Sequence, residues 1–299
     1  VRNELRHSQP RLRLVHSREP RLTPLALWHL LSLDAPTVAA LWTVFIARCA
    51  GLTLPWTAPA AMFVAVWMLY ATDRLLDARP TADGRAPRDL EARHRFHHRH
   101  RAGFVTALSL ATFLLAWLLH RTAPAALHLY TLLAALLGGW LVLIHARPMG
   151  HNSHRLPKEL AVGIFFPAAV FIPTVARAPH LRPDLLMAAI LFGLVCTLNC
   201  LCIYAWEHPF PRNNAHWTTR CAARHLALLA TGTLLAAGLL SALRPVPPVE
   251  LPALACALST VILLALDTFR PRLSMVHLRA AADLTLLTPI LLALLLRTP

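Results

Sequence analysis

Nine apolar stretches divide the chain, at about 37–54, 57–73, 103–119, 126–145, 159–176, 185–206, 222–243, 250–268 and 281–296, and charged residues gather between them. A helix of about twenty residues rises far enough to cross the hydrocarbon of a bilayer. A chain built mostly of such stretches meets its backbone hydrogen bonds in lipid only as helices. Composition points the same way. With 57% hydrophobic and 14% charged residues over 299 positions, too little polar surface exists to clothe a soluble domain of this length. The expected fold is an all-α polytopic membrane protein of nine transmembrane helices, or eight with one re-entrant segment. Arg48 interrupts the first stretch.

The cations test this layout. With the N-terminus inside, the cytoplasmic segments are 1–36, 74–102, 146–158, 207–221 and 269–280. Together with their immediate helix ends they hold all but six of the 29 Lys and Arg, the exceptions being Arg48, Arg121, Arg177, Arg182, Arg244 and Arg297. That is a positive-inside bias, and it alternates only if the number of spans is about right. The N-terminus is expected inside and the C-terminus outside, in a membrane such as the bacterial inner membrane. The net charge of +15 then belongs mostly to one membrane face, where it suits anionic lipids and phosphate-bearing ligands rather than nucleic acid. Residues 1–36 read as a basic arm and 37–299 as one transmembrane domain. Loop 74–102 reads as a cytoplasmic cap whose tail, "DLEARHRFHHRHR", begins with a capping Asp89 and forms a short helix. His94, His97, His98 and His100 there resemble a metal tract, but the interleaved arginines repel a divalent ion. No Cys-x-x-Cys pair exists, and the six cysteines read as small buried hydrophobes. Asp34, just before Pro36, reads as the cap of the first span.

Two spans deliver acids to the cytoplasmic side. Asp73 and Asp77, in "LYATDRLLD", are four apart and share a helix face about 5–6 Å from each other. Like charges so placed need a cation beside them, from Arg74 and Arg79 or from a metal such as Mg²⁺. In "LNCLCIYAWEHPFPRNN", Asn199, Ile203 and Glu207 share a face, and Glu207 ends the span at a matching depth. Asn199 lies about two turns deeper, where its amide needs a partner. The segment "HARPMGHNSHRLPKELAVG" adds Arg147, Arg155 and Lys158 on the same side. Carboxylates, Mg²⁺ and cations around a diphosphate, with a greasy tail among helices, suit an allylic diphosphate.

In span count, orientation and motif placement over roughly 37–296, the chain resembles the UbiA-type superfamily of intramembrane prenyltransferases. That family carries aspartate-rich motifs, typically Asn-Asp-x-x-Asp-x-x-x-Asp, at the cytoplasmic ends of its second and sixth helices. Asp73 and Asp77 match the last two acids of the first motif, with Leu69 and Tyr70 in place of Asn and Asp. Asn199 and Glu207 match the ends of the second, with Cys200 and Ile203 replacing aspartates. Three carboxylates thus stand where the family has as many as six.

The resemblance implies a UbiA-like bundle and Mg²⁺-dependent transfer of a polyprenyl group from its diphosphate to a lipophilic, aromatic-type acceptor. Asp73, Asp77 and Glu207 would hold metal. Arg74, Arg155 and Lys158 would neutralise phosphate, Asn199 would orient a ligand or water, and Tyr70 and Tyr204 would line the pocket. The missing aspartates also suit a diverged isoprenoid or lipid-phosphate binder. A transporter or scaffold, with Arg48 and Asp283 marking a polar path, is the rival from another class.

Overall fold

The computed structural model describes residues 23–77, 92–146, 158–208 and 215–295, and every regular element among them is helical. Arg155, Arg147, Arg79, Asp89 and the first part of the basic arm lie outside the described residues. The helices are α1 (Pro24–Leu30), α2 (Asp34–Cys49), α3 (Thr57–Asp77), α4 (Ala92–Arg99), α5 (Arg101–His120), α6 (Pro124–Ala146) and α7 (Lys158–Arg177). They continue as α8 (Arg182–Glu207), α9 (Trp217–Arg224), α10 (Leu226–Leu243), α11 (Pro247–Phe269), α12 (Met275–Leu284) and α13 (Thr288–Leu295).

Six of these segments are long and apolar enough to cross a membrane: α5, α7, α8, α10, α11 and the α12–α13 pair. A seventh is reached if α1 and α2, bent by 88° at their junction, count as one span. Among the described residues, six or seven of the nine sequence stretches thus meet the length and apolarity of a span. Helix α2 has 16 residues, a rise of about 24 Å, which is short of the hydrocarbon thickness. Helix α3 is long enough, but Asp73, Arg74 and Asp77 make its last turn charged. Helix α6 has 23 residues, a rise of about 35 Å, and its sequence is apolar up to His145 apart from His128. Outward faces of α5 and α10 expose Leu110, Phe113, Leu228 and Leu235, the surface of a protein solvated by lipid rather than water. The chain is a helical membrane protein.

Helix α8 is the axis of the bundle, packed by α7, α10, α11 and α12. Phe192 on α8 stacks on Trp42 of α2, with ring centroids 3.9 Å apart, and both are fully buried. Around them Ile46, Val170, Val195 and Cys256 complete the main core. Several polar groups inside are matched to backbone. Trp42 Nε1 donates to Leu286 O at 2.8 Å, within the 3₁₀ break Thr285–Leu287 that separates α12 from α13. Thr288 Oγ1, just after the break, donates to Ala255 O of α11 at 2.9 Å. The cysteines are unpaired; four are buried, Cys200 is half-buried and Cys221 exposed.

The α7–α8 crossing depends on two glycines. A Cβ on Gly193 would sit 2.3 Å from Gly163 O, and one on Gly163 would sit 2.9 Å from Gly193 O. Backbone atoms cannot withdraw as a flexible side chain does, so the helices touch only because both positions lack a side chain. Gly193→Ala is expected to destabilise the protein by about 1–3 kcal/mol through overpacking. Gly238→Ala on α10, where a new Cβ meets nothing within 4 Å, is expected to be neutral or stabilising by a few tenths of a kcal/mol. Thermal unfolding in detergent compares the two. A Gly193→Ala protein as stable as Gly238→Ala would contradict the close crossing.

Candidate functional site

Residues 24–36, assigned by sequence to the basic arm, pack into the bundle. Thr23 caps α1 by accepting from Ala26 N, and its hydroxyl lies 2.9 Å from His277 Nε2 on α12. The chain then turns sharply through Ser32, whose φ of 60° is left-handed and costs a non-glycine residue about 1–2 kcal/mol. Asp34 is the first residue of α2 and not a cap preceding it; the cap position is Leu33, without a side-chain bond.

Arg74 of α3 holds this corner in place. Its Nη1 donates to His29 O at 2.7 Å and to Ser32 Oγ at 2.8 Å, and its Nη2 lies 3.3 Å from Asp34 Oδ2. Trp67, two turns earlier on α3, donates to Leu31 O at 3.1 Å. Asp34 Oδ2 also lies 2.6 Å from His29 Nδ1, while Asp34 Oδ1 accepts from Ala35 N. Behind the corner, α4 forms where a short helix was expected. Its His97 is fully buried, reaches Ser32 Oγ at 3.1 Å and stacks on Phe104 at 4.1 Å. His98 and His100 are exposed.

A cavity of about 280 Å³ opens beside this corner, where α3 and α8 end and α7 begins. His29, Asp34, Tyr70 and Arg74 line one side, and Lys158 and Glu159 of α7 another. Helix α8 supplies Asn199, Tyr204 and Glu207, and α12 supplies Arg279 and Asp283. Val38, Val162, Phe166 and Leu286 form an apolar wall. Of the residues singled out by sequence, Tyr70, Arg74, Lys158, Asn199, Tyr204 and Glu207 thus border one space.

Asp73 points elsewhere: it is half-exposed at the rim, with Oδ1 3.8 Å from Lys158 Nζ. Asp77 closes α3, and its side chain lies outside the described residues. Glu207 accepts directly from Arg279 Nε, so its charge is matched within the protein. Asn199 has the partner that its depth requires: Nδ2 donates to Asp283 Oδ1 at 3.1 Å.

Sequence reasoning missed His29 and Arg279 and left Asp34 and Asp283 outside the site. Asp34 carried a usable signal, an acid at a span entrance with a histidine five residues before it. Arg279 had none, because its partner is 72 residues away.

Asp34 is about 1% exposed, so removing its guanidinium partner strands a buried charge. Arg74→Ala is expected to cost about 3–5 kcal/mol. The double variant Arg74→Met with Asp34→Leu should recover much of that loss. Thermal unfolding of the three proteins in one detergent measures both effects, and equal stability of Arg74→Ala and wild type would remove the clamp from the account. Compared with family models, with curated proteins and with solved structures, the chain matches none.

Proposed function

We propose that the cavity binds the diphosphate head of an isoprenoid lipid, and that the protein transfers the prenyl group to a lipophilic acceptor. One observation carries this reading: cationic side chains, Lys158 and Arg279 beside Arg74, meet an apolar wall of Val38, Val162, Phe166 and Leu286 in a single space. A charged head and a greasy tail need that combination, and the lipid-facing bundle offers the tail a way in between helices. The resemblance to UbiA-type prenyltransferases supplies the reaction class. The nine-span, N-inside layout belongs to the same reading, with α2, α3 and α6 crossing alongside the six long segments.

In the transfer, the C1–O bond of the prenyl diphosphate breaks and diphosphate leaves with the electron pair. The acceptor then bonds to C1 of the allylic cation and loses a proton. Turning from Asp73 and Glu207 to the incoming phosphate, Lys158 and Arg279 would stabilise the charge developing on the leaving group, most strongly in a site that excludes water. Tyr70 and Tyr204 border the same space, where ring faces favour a cation. Magnesium comes to this reading from the resemblance. Asp73 is engaged by Lys158 and Glu207 by Arg279, and the two share no ligand cluster among the described residues. These carboxylates do not make a Mg²⁺ site as they stand. The same pairing favours a second reading, a diverged protein that binds the lipid phosphate without transferring it.

Titration of detergent-purified protein with a long-chain prenyl diphosphate is expected to raise its thermal stability, as any ligand of the folded state must. The matching prenyl alcohol should do so weakly, and Lys158→Ala should weaken diphosphate binding about tenfold, the loss of one charge-assisted contact. Equal stabilisation by alcohol and diphosphate would sink the head-group site. Diphosphate release on adding an aromatic acceptor separates transfer from binding alone.

A further inference from the structure

We propose a divalent-cation site at the polar end of the cavity, formed by His29, Asp34, Asp283 and Asn199 and suited to Mn²⁺ or Zn²⁺. Such a site needs no prenyl transfer, because the protein's own donor atoms form it.

The first support is geometry. One ligating atom from each of His29, Asp34 and Asp283 lies within 4.8 Å of the others. His29 Nδ1 is central, 2.6 Å from Asp34 Oδ2 and 3.9 Å from Asp283 Oδ2. An ion held at about 2.0–2.2 Å by each atom would set them roughly 3–3.5 Å apart, which small side-chain rotations supply. The three residues come from α1, α2 and α12, and the Arg74 corner and the α12 contacts hold those helices together.

An independent observation points to a ligand. Asn199 is about 4% exposed and borders the same cavity. Its Nδ2 is used by Asp283, but its Oδ1 is buried with no hydrogen-bond partner among the described residues. Turning the amide over only exchanges the problem, since Nδ2 then lacks an acceptor and Oδ1 faces a carboxylate. Buried amide oxygens are rarely left in that state, and a cation bound beside Asp283 supplies what this one lacks.

Donor chemistry selects the ion. Arg74 and His29 stand beside the two carboxylates, Asp34 and Asp283. A divalent ion bound there is matched by both carboxylates and reaches Asn199 Oδ1, and the positive charge of Arg74 then suits an anionic oxygen entering from the cavity. One imidazole nitrogen with carboxylate and amide oxygens favours Mn²⁺ or Zn²⁺ over Mg²⁺ or Ca²⁺, which prefer all-oxygen shells. Remaining positions would face the cavity, open to an oxygen of whatever molecule enters.

The test uses the full chain, purified in detergent, stripped with chelator and titrated with Mn²⁺ alone. Loss of the free-ion electron paramagnetic resonance signal reports stoichiometry and affinity, and competition with Zn²⁺ reports selectivity. One Mn²⁺ per chain is expected. Asp283→Asn should weaken binding about tenfold or more, whereas Glu250→Gln should leave it unchanged. Asn199→Asp places a carboxylate where the orphan oxygen lies and should tighten binding. Absence of saturable binding in wild type overturns the site, and so does an affinity that neither Asp283→Asn nor Asn199→Asp changes. If Asp283→Asn does not fold, Asn199→Asp decides: tighter binding supports the site, and unchanged binding overturns it.

Discussion

A single guanidinium organises the polar end of this bundle. Arg74 reaches from α3 to three groups of the α1–α2 corner, His29 O, Ser32 Oγ and Asp34 Oδ2. In lipid no water stands ready to replace those bonds, so the corner exists because α3 presents a donor fork at that depth. From it follow the left-handed Ser32, the inward turn of Asp34 and the docking of α4 through His97. The cavity beside the corner is bounded on that side by the same residues.

Two kinds of contact divide the labour in the rest of the molecule. Apolar packing along α8, centred on the Trp42–Phe192 stack and the glycine crossing with α7, sets the helix positions. Long-range polar bonds then set which residues face the cavity. Glu207–Arg279 ties the end of α8 to α12, Asn199–Asp283 repeats that tie deeper, and Lys158–Asp73 bridges α7 to α3 at the rim. The polar side chains converge because their helices are cross-linked by one another's charges. A cavity so built keeps cations and carboxylates near an apolar wall, the environment a lipid phosphate or a bound ion needs.

Much of this was legible in the sequence, and the limits have physical causes. Span-length apolar runs with cations between them announce a helical membrane protein, although α2 falls short in length and the charged last turn of α3 falls short in apolarity. Asn199 and Glu207 border one cavity, because helical periodicity fixes which residues share a face and an end. Their partners were illegible: Asp283 and Arg279 lie 84 and 72 residues further on, and only packing decides such pairs. The role of Arg74 was hidden by its neighbours. Among arginines beside two aspartates it reads as a phosphate ligand, whereas its buried contacts lie on α1 and α2. His29 belonged to a segment that reads as a polar arm until the turn at Ser32 folds it inward.

The central claim is that this cavity, and not the lipid-facing surface, receives an isoprenoid phosphate. Photo-crosslinking with a prenyl diphosphate carrying a photoreactive group near its head tests it most directly. Labelling of α7 and α8 near Val162, Phe166 and Cys200 is expected, competed away by excess unlabelled prenyl diphosphate. Labelling confined to outward residues such as Phe113 and Leu235, and indifferent to competitor, would contradict it.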